Sequence, residues 1–273
     1  MKIIITSVFL LFFIKTSFSQ NTNKRDLKEA LSLGYEVVLN NQFDDYDTKE
    51  IISVNPNLIT IVATNYDKNE IQEYLQLGCK VIIGNQFDKY EVNDIIKINP
   101  NLVTVVATKF DKYDTKEFLR AGSKVVLNNQ FDKYEIKDII KVAPNRVKII
   151  ATKFDKYDTK GFIRSGANVF IGDQFDKFDI KELIRVKKSL VTVMPSKLDK
   201  FDIKELIRMG GKVVLDNQLD YYIIKDITRV NPRLVTVVIP QFYNYESNQI
   251  MRQGARVIIA QINKFSIREL INE

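Results

Sequence analysis

Histidine and tryptophan are absent from the 273 residues, and cysteine occurs once, at Cys79. Without histidine there is no Ser–His or Cys–His nucleophile system and no Cys/His zinc site. A single cysteine allows no internal disulfide, so stability must come from packing. No phosphate-binding loop of the form G-x-x-x-x-G-K-[ST] occurs. No cofactor or metal is therefore expected. Beyond Ile14 no apolar run approaches the ~20 residues needed to span a bilayer. No integral membrane segment is expected once the leader described next is removed.

What is present begins with an export pattern. Lys2 precedes an apolar stretch from Ile3 to Ile14, and Ser17-Phe18-Ser19 offers a small-x-small cleavage site. This spacing predicts a signal peptide over residues 1–19, a mature chain beginning at Gln20, and secretion to the periplasm or the extracellular space. Loss of Lys2 and Lys15 with that peptide lowers the formal net charge from +7 to +5. So mild an excess permits anionic partners without demanding one.

The rest of the chain is a repeat. Phe110-Asp111-Lys112-Tyr113 recurs, with variation, at Phe43, Tyr66, Phe87, Phe131, Phe154, Phe175, Leu198, Leu219, Phe242 and Ile262. The starts are 21 and 23 residues apart in alternation until a last step of 20, so the true period is 44 residues, two units long. Each unit explains its own local structure. Asp132 stands at an N-cap, and Glu135 three residues on completes a capping box. Phe131 and Ile136 form a hydrophobic staple, and Ile136, Ile139, Ile140 and Ala143 lie on one helical face. Pro144 stops that helix. In the sister unit Gly122 is a C′ glycine. The short, β-branched stretches Val125–Gln130 and Val103–Lys109, bounded by turn signals, read as strands.

Strand–helix–strand with short links implies parallel strands and right-handed crossovers. The expected fold is α/β, eleven units of about 22 residues, in one domain over residues 20–273. Residues 20–34 are read as an N-terminal cap helix and 262–273 as a C-terminal one. Helices pack about 10 Å apart and paired strands about 4.8 Å apart, so the row must curve with strands inside. A curved right-handed solenoid is the leading expectation, with a closed barrel-like toroid as the alternative. For closure speaks the apolar character of Val125, Val126 and Leu127 on both faces, as in strands buried on both sides. Against it speaks the number eleven, too many for the eight-stranded barrel.

The candidate functional residues fall into columns. The repeated aspartates, from Asp44 to Asp220, read as N-caps. A Phe column reads as core, and a second aromatic column, Tyr46 to Tyr245, stands at the helix starts. Past the strands lies a polar rim: Gln86, Lys109, Gln130, Lys153, Gln174, Lys197 and Gln218, at the carboxyl ends where parallel sheets bind ligands. On the helices a basic column, Arg120, Lys141, Arg164, Arg185, Arg208, Arg229 and Arg252, offers a track for an anionic polymer. The functional expectation is a secreted, non-catalytic binding module for an anionic polymer or polysaccharide, and not an enzyme. The alternative is a structural or self-associating surface scaffold. An anionic polysaccharide or another surface protein is the expected kind of partner. An enzyme would need one unit to break the pattern with a paired acid, and no such unit stands out.

Overall fold

The structure is a computed structural model that describes residues 23–216, 219–242 and 245–260. The expected signal peptide, the C-terminal cap helix over 262–273 and the rim residue Gln218 lie outside the described residues. Helix α1 (Lys24–Ser32) is the first described element. It is followed by β1 (Glu36–Leu39), α2 (Asp45–Ile52), β2 (Ile59–Val62), α3 (Lys68–Gln76), β3 (Lys80–Ile83), α4 (Lys89–Ile98), β4 (Val103–Val106) and α5 (Lys112–Arg120). Then come β5 (Lys124–Leu127), α6 (Lys133–Ile140), β6 (Val147–Ile150), α7 (Lys156–Arg164), β7 (Asn168–Ile171), α8 (Lys177–Val186), β8 (Val191–Val193) and α9 (Lys200–Arg208). The last are β9 (Lys212–Leu215), α10 (Tyr221–Thr228), β10 (Val235–Ile239), α11 (Glu246–Arg252) and β11 (Arg256–Ala260).

The local signals act as the sequence predicts. Aspartates 44, 67, 88, 111, 132, 155, 176, 199 and 220 cap α2 to α10, each accepting backbone N–H bonds of the first turn. Full capping boxes form at Asp67/Glu70, Asp88/Glu91 and Asp132/Glu135. Gly122 adopts φ +98°, and a Cβ there would also come within 3.2 Å of Pro100 Cβ. Both its conformation and its neighbour therefore require glycine. The strands end three residues before the stretches read from the sequence. Asn128-Asn129-Gln130 and Ala107-Thr108-Lys109 lie past the last ladder residues.

All neighbouring strands are parallel and follow chain order, and β1 pairs with β11, so the sheet closes. The closed-barrel alternative is thus the form adopted. It differs from the curved solenoid only at the β1–β11 seam; the units, crossovers and outer helices are the same. The pairing advances two residues at each of six strands: Lys80 to Ile82, Lys124 to Val126, Asn168 to Phe170, Lys212 to Val214, Arg256 to Ile258 and Glu36 to Val38. Six steps of two give a shear of twelve for eleven strands. Such stagger is what closure of tilted strands demands.

Alternation along each strand makes two cores. Val125 and Leu127, with their equivalents, pack outward against the helices together with Phe131 and Ile136. Val126, with Val38, Ile82, Ile150, Phe170, Met194, Val214 and Ile258, packs inside the barrel. These inward residues are the ladder that an open horseshoe would leave in water, and closure is what buries them. They form an apolar plug across the middle of the barrel. Two polar ends remain, one at each mouth.

Candidate functional site at the C-terminal mouth

In a parallel barrel the strand ends turn polar groups toward a common mouth, and sites are built from the loops that follow. Here several of those loops are tied down by rim residues. Gln130 accepts from Asn128 N at 3.1 Å and donates to the Ala107 carbonyl of the preceding unit. Gln174 does the same, accepting from Gly172 N at 2.9 Å and donating to Ala151 O at 2.5 Å. Lys109 Nζ donates to Asn85 O at 2.7 Å and lies 5.4 Å from the centre of the Phe110 ring. Lys153 makes the equivalent bond to Asn129 O and sits over Phe154. The rim glutamines and these two lysines therefore satisfy loop backbone first. Gln86 is exposed on the same rim.

One sector departs from this pattern. The strand-end pairs of the odd units read Asn40-Asn41, Gly84-Asn85, Asn128-Asn129, Gly172-Asp173 and Asp216-Asn217. Carboxylates replace amide or glycine only after β7 and β9. Between them, after β8, stand Ser196 and Lys197. Ser196 N donates to Asp173 Oδ1 at 3.2 Å, and the Ser196 hydroxyl donates to Asp173 Oδ2. In the equivalent places Thr152 donates to Asn129 at 3.0 Å and Thr108 donates to Asn85, so the geometry is inherited and the charge is new. Lys197 is followed by Leu198 and so lacks the ring over which Lys109 and Lys153 lie. Two acids, a hydroxyl and an exposed ammonium thus share one third of the mouth. Sequence reasoning missed Asp173 and Asp216 because the nine capping aspartates drew attention to a different register. Aligning only the two residues after each strand would have found them.

The helical basic column lies elsewhere. Arg120, Lys141, Arg164, Arg185, Arg208, Arg229 and Arg252 are all exposed and stand at the last turns of α5 to α11. Helices run back antiparallel to the strands, so these residues ring the N-terminal mouth and offset the negative helix ends there. The lysines one turn earlier have different work. Four of them reach the acid of the next helix: Lys49 to Glu73 at 2.9 Å, Lys160 to Glu182 at 2.7 Å, Lys181 to Glu205 at 2.6 Å and Lys204 to Asp226 at 2.5 Å. These pairs hold Glu182, Glu205 and Asp226 below the ordinary carboxylate range. The aromatics Tyr46, Tyr90, Tyr113, Tyr134, Tyr157, Phe178, Phe201, Tyr222 and Tyr245 stand outward as an exposed belt. Most have a lysine ammonium 5–6 Å from the ring centre.

No known family and no curated protein matches the chain. Solved structures to which it is similar include a native KDPGal structure, at TM-score 0.39 and 10% identity, over 81% of this chain and 90% of that one. Another is a protein from Burkholderia cenocepacia described as a lyase/mutase, at TM-score 0.36 and 16% identity, over 67% and 77%. A third is a phosphoribosylanthranilate isomerase from Thermotoga maritima, at TM-score 0.32 and 12% identity, over 64% and 97%.

The expectation of a non-catalytic binding module, and of a protein that is not an enzyme, is corrected on these findings. The structures it is similar to are of enzymes, described as a lyase/mutase, an aldolase and a phosphonomutase among others. The inward apolar strand face that an open solenoid would expose is buried by barrel closure. No particular chemistry is carried over from those proteins.

Proposed function

We propose that the C-terminal mouth is a general acid–base site acting on a small anionic carbonyl compound. The observation that carries this reading is the bonding of Asp173 by Ser196, in the one sector where carboxylates replace the neutral strand-end residues. In this reading Asp173 takes a proton from the carbon beside the carbonyl, held in position by the Ser196 hydroxyl and backbone N–H. Asp216, one odd strand away, supplies the second carboxyl group. Two carboxyl groups in different surroundings are what an acid and a base on one site require. Lys197 anchors the substrate's carboxylate or phosphate by charge.

Proton exchange into deuterated water tests this without knowing the natural substrate. Pyruvate and dihydroxyacetone phosphate are the simplest carboxylate- and phosphate-bearing ketones. The expected result is loss of a carbon-bound proton signal from at least one of them, faster than in buffer and abolished by Asp173→Asn. Equal rates with and without protein, or with Asp173→Asn, defeat the proposal.

We propose in addition that the barrel is exported, on the leader pattern from Lys2 to Ser19. An intact mass of the mature protein starting at Gln20 supports export; retention of Met1 in cells competent for secretion argues against it.

A further inference from the structure

The N-terminal mouth is unlike the C-terminal one. The first residues of the odd strands alternate in phase with the inward-packed Val38, Ile82, Val126, Phe170, Val214 and Ile258, so they too point into the barrel. They are Glu36, Lys80, Lys124, Asn168, Lys212 and Arg256. The next inward ring, from the even strands, holds Thr60, Thr104, Lys148 and Thr192, all buried. Lys148 is 4% exposed. Among these described inward residues there are five cations and one acid, Glu36. Glu36 is already engaged, by Arg256 at 2.5 Å and by Lys80 at 3.9 Å.

We propose that this cup is a binding site for a phosphate-type oxyanion, held by Lys124 and Lys212 with the threonine hydroxyls at its floor. Gathering cations in a walled, low-dielectric mouth raises their mutual repulsion and the potential felt by an anion alike. Burial pushes the Lys212 ammonium down from its ordinary value, with no carboxylate among the described residues opposing the shift. An entering oxyanion supplies the missing charge and accepts hydrogen bonds from ammonium and hydroxyl groups together. The apolar plug formed by Val126, Phe170 and their neighbours closes the floor, so the site is a blind cup and separate from the C-terminal mouth. The proposal does not depend on the acid–base reading of the opposite mouth.

Inorganic pyrophosphate is the probe. With the full mature chain it should raise the melting temperature more than sodium chloride at equal ionic strength. Lys124→Met combined with Lys212→Met should melt higher than the unmodified protein without ligand, because repulsion is relieved, and should lose the pyrophosphate shift. Arg164→Glu combined with Arg185→Glu, on the exterior, should keep it. A shift no larger than the chloride control, or one that survives the double methionine change, overturns the proposal. So does a shift lost in the exterior variant, since the anion would then sit on the surface. If the methionine variant does not fold, acetylation of Lys212 in the unmodified protein decides: pyrophosphate protects it if the cup is the site, and equal labelling with and without pyrophosphate refutes it.

Discussion

Arg256 on the last strand grips Glu36 on the first through two hydrogen bonds, Nε to Oε1 and Nη2 to Oε2, both 2.5 Å. At the equivalent places of the other odd strands stand Lys80, Lys124, Asn168 and Lys212. The acid therefore appears at the one strand that meets β11 across the seam. The seam has a second fastening outside the barrel, where Tyr35 OH donates to Asn248 Oδ1 of α11 at 2.7 Å.

Glu36→Gln should destabilise the closed barrel by about 2 kcal/mol, the range for a hydrogen-bonded charge that loses its partner. It also leaves the cup's cations without their one acid. Urea unfolding measures the change. A loss near zero would mean that strand pairing alone holds the seam.

The two aromatic columns make opposite predictions. Phe131 is 4% exposed and lies in the outer core with Ile136, while Tyr134, three residues on, is 71% exposed. Phe131→Ala should cost ~3–5 kcal/mol through lost burial and a residual cavity. Tyr134→Ala should stay within about 0.5 kcal/mol, as surface changes usually do. Comparable losses for both would show that the tyrosine belt is structural.

Much of this fold was legible because the signals are local. Asp132, Glu135, Phe131 and Gly122 each fix a cap, a staple or a turn within a few residues of themselves. Closure was not, because it sums small rotations over eleven units and is decided at a contact 220 residues apart, Glu36 with Arg256. The apolar character of Val126 on the inward face was the available hint. The mouth was harder still. Asp173 and Asp216 differ from asparagine and glycine by charge alone, inside a repeat that supplies nine other aspartates as caps. The rim glutamines were visible as a column, yet their bonds to Ala107 and Ala151 of the preceding unit appear only in three dimensions.

Removing one 44-residue pair, Phe110 to Lys153, separates a barrel from an open array. An open solenoid keeps every type of interface after such a deletion. A barrel keeps its repeat but loses two strands and narrows, since diameter follows strand number. Phe170 and Met194, packed inside the present barrel, would then overfill the lumen. The expected product is aggregated or lacks a cooperative melt, judged by gel filtration and circular dichroism. A soluble monomer that melts as sharply as the parent would contradict this account of the core.

Cys79 gives a pH signature. Its thiol is fully buried beneath α3, and burial pushes its pKa up to about 12 from the ordinary value of 9. A group whose folded pKa is raised favours the folded state while the unfolded thiol keeps its proton. Its contribution is fully present below pH 9 and is lost as pH rises from 9 toward 12, where the unfolded chain binds fewer protons. Cys79→Ala should therefore be less stable than the parent at neutral pH, from the smaller side chain, yet lose less stability between pH 9 and pH 11. The comparison isolates the thiol, because the lysines and tyrosines that also titrate there are common to both proteins. The same burial predicts that iodoacetamide labels Cys79 only after unfolding, since thiolate and access are both needed. Parallel alkaline slopes for the two proteins, or rapid labelling of the native one, would place the thiol in contact with solvent.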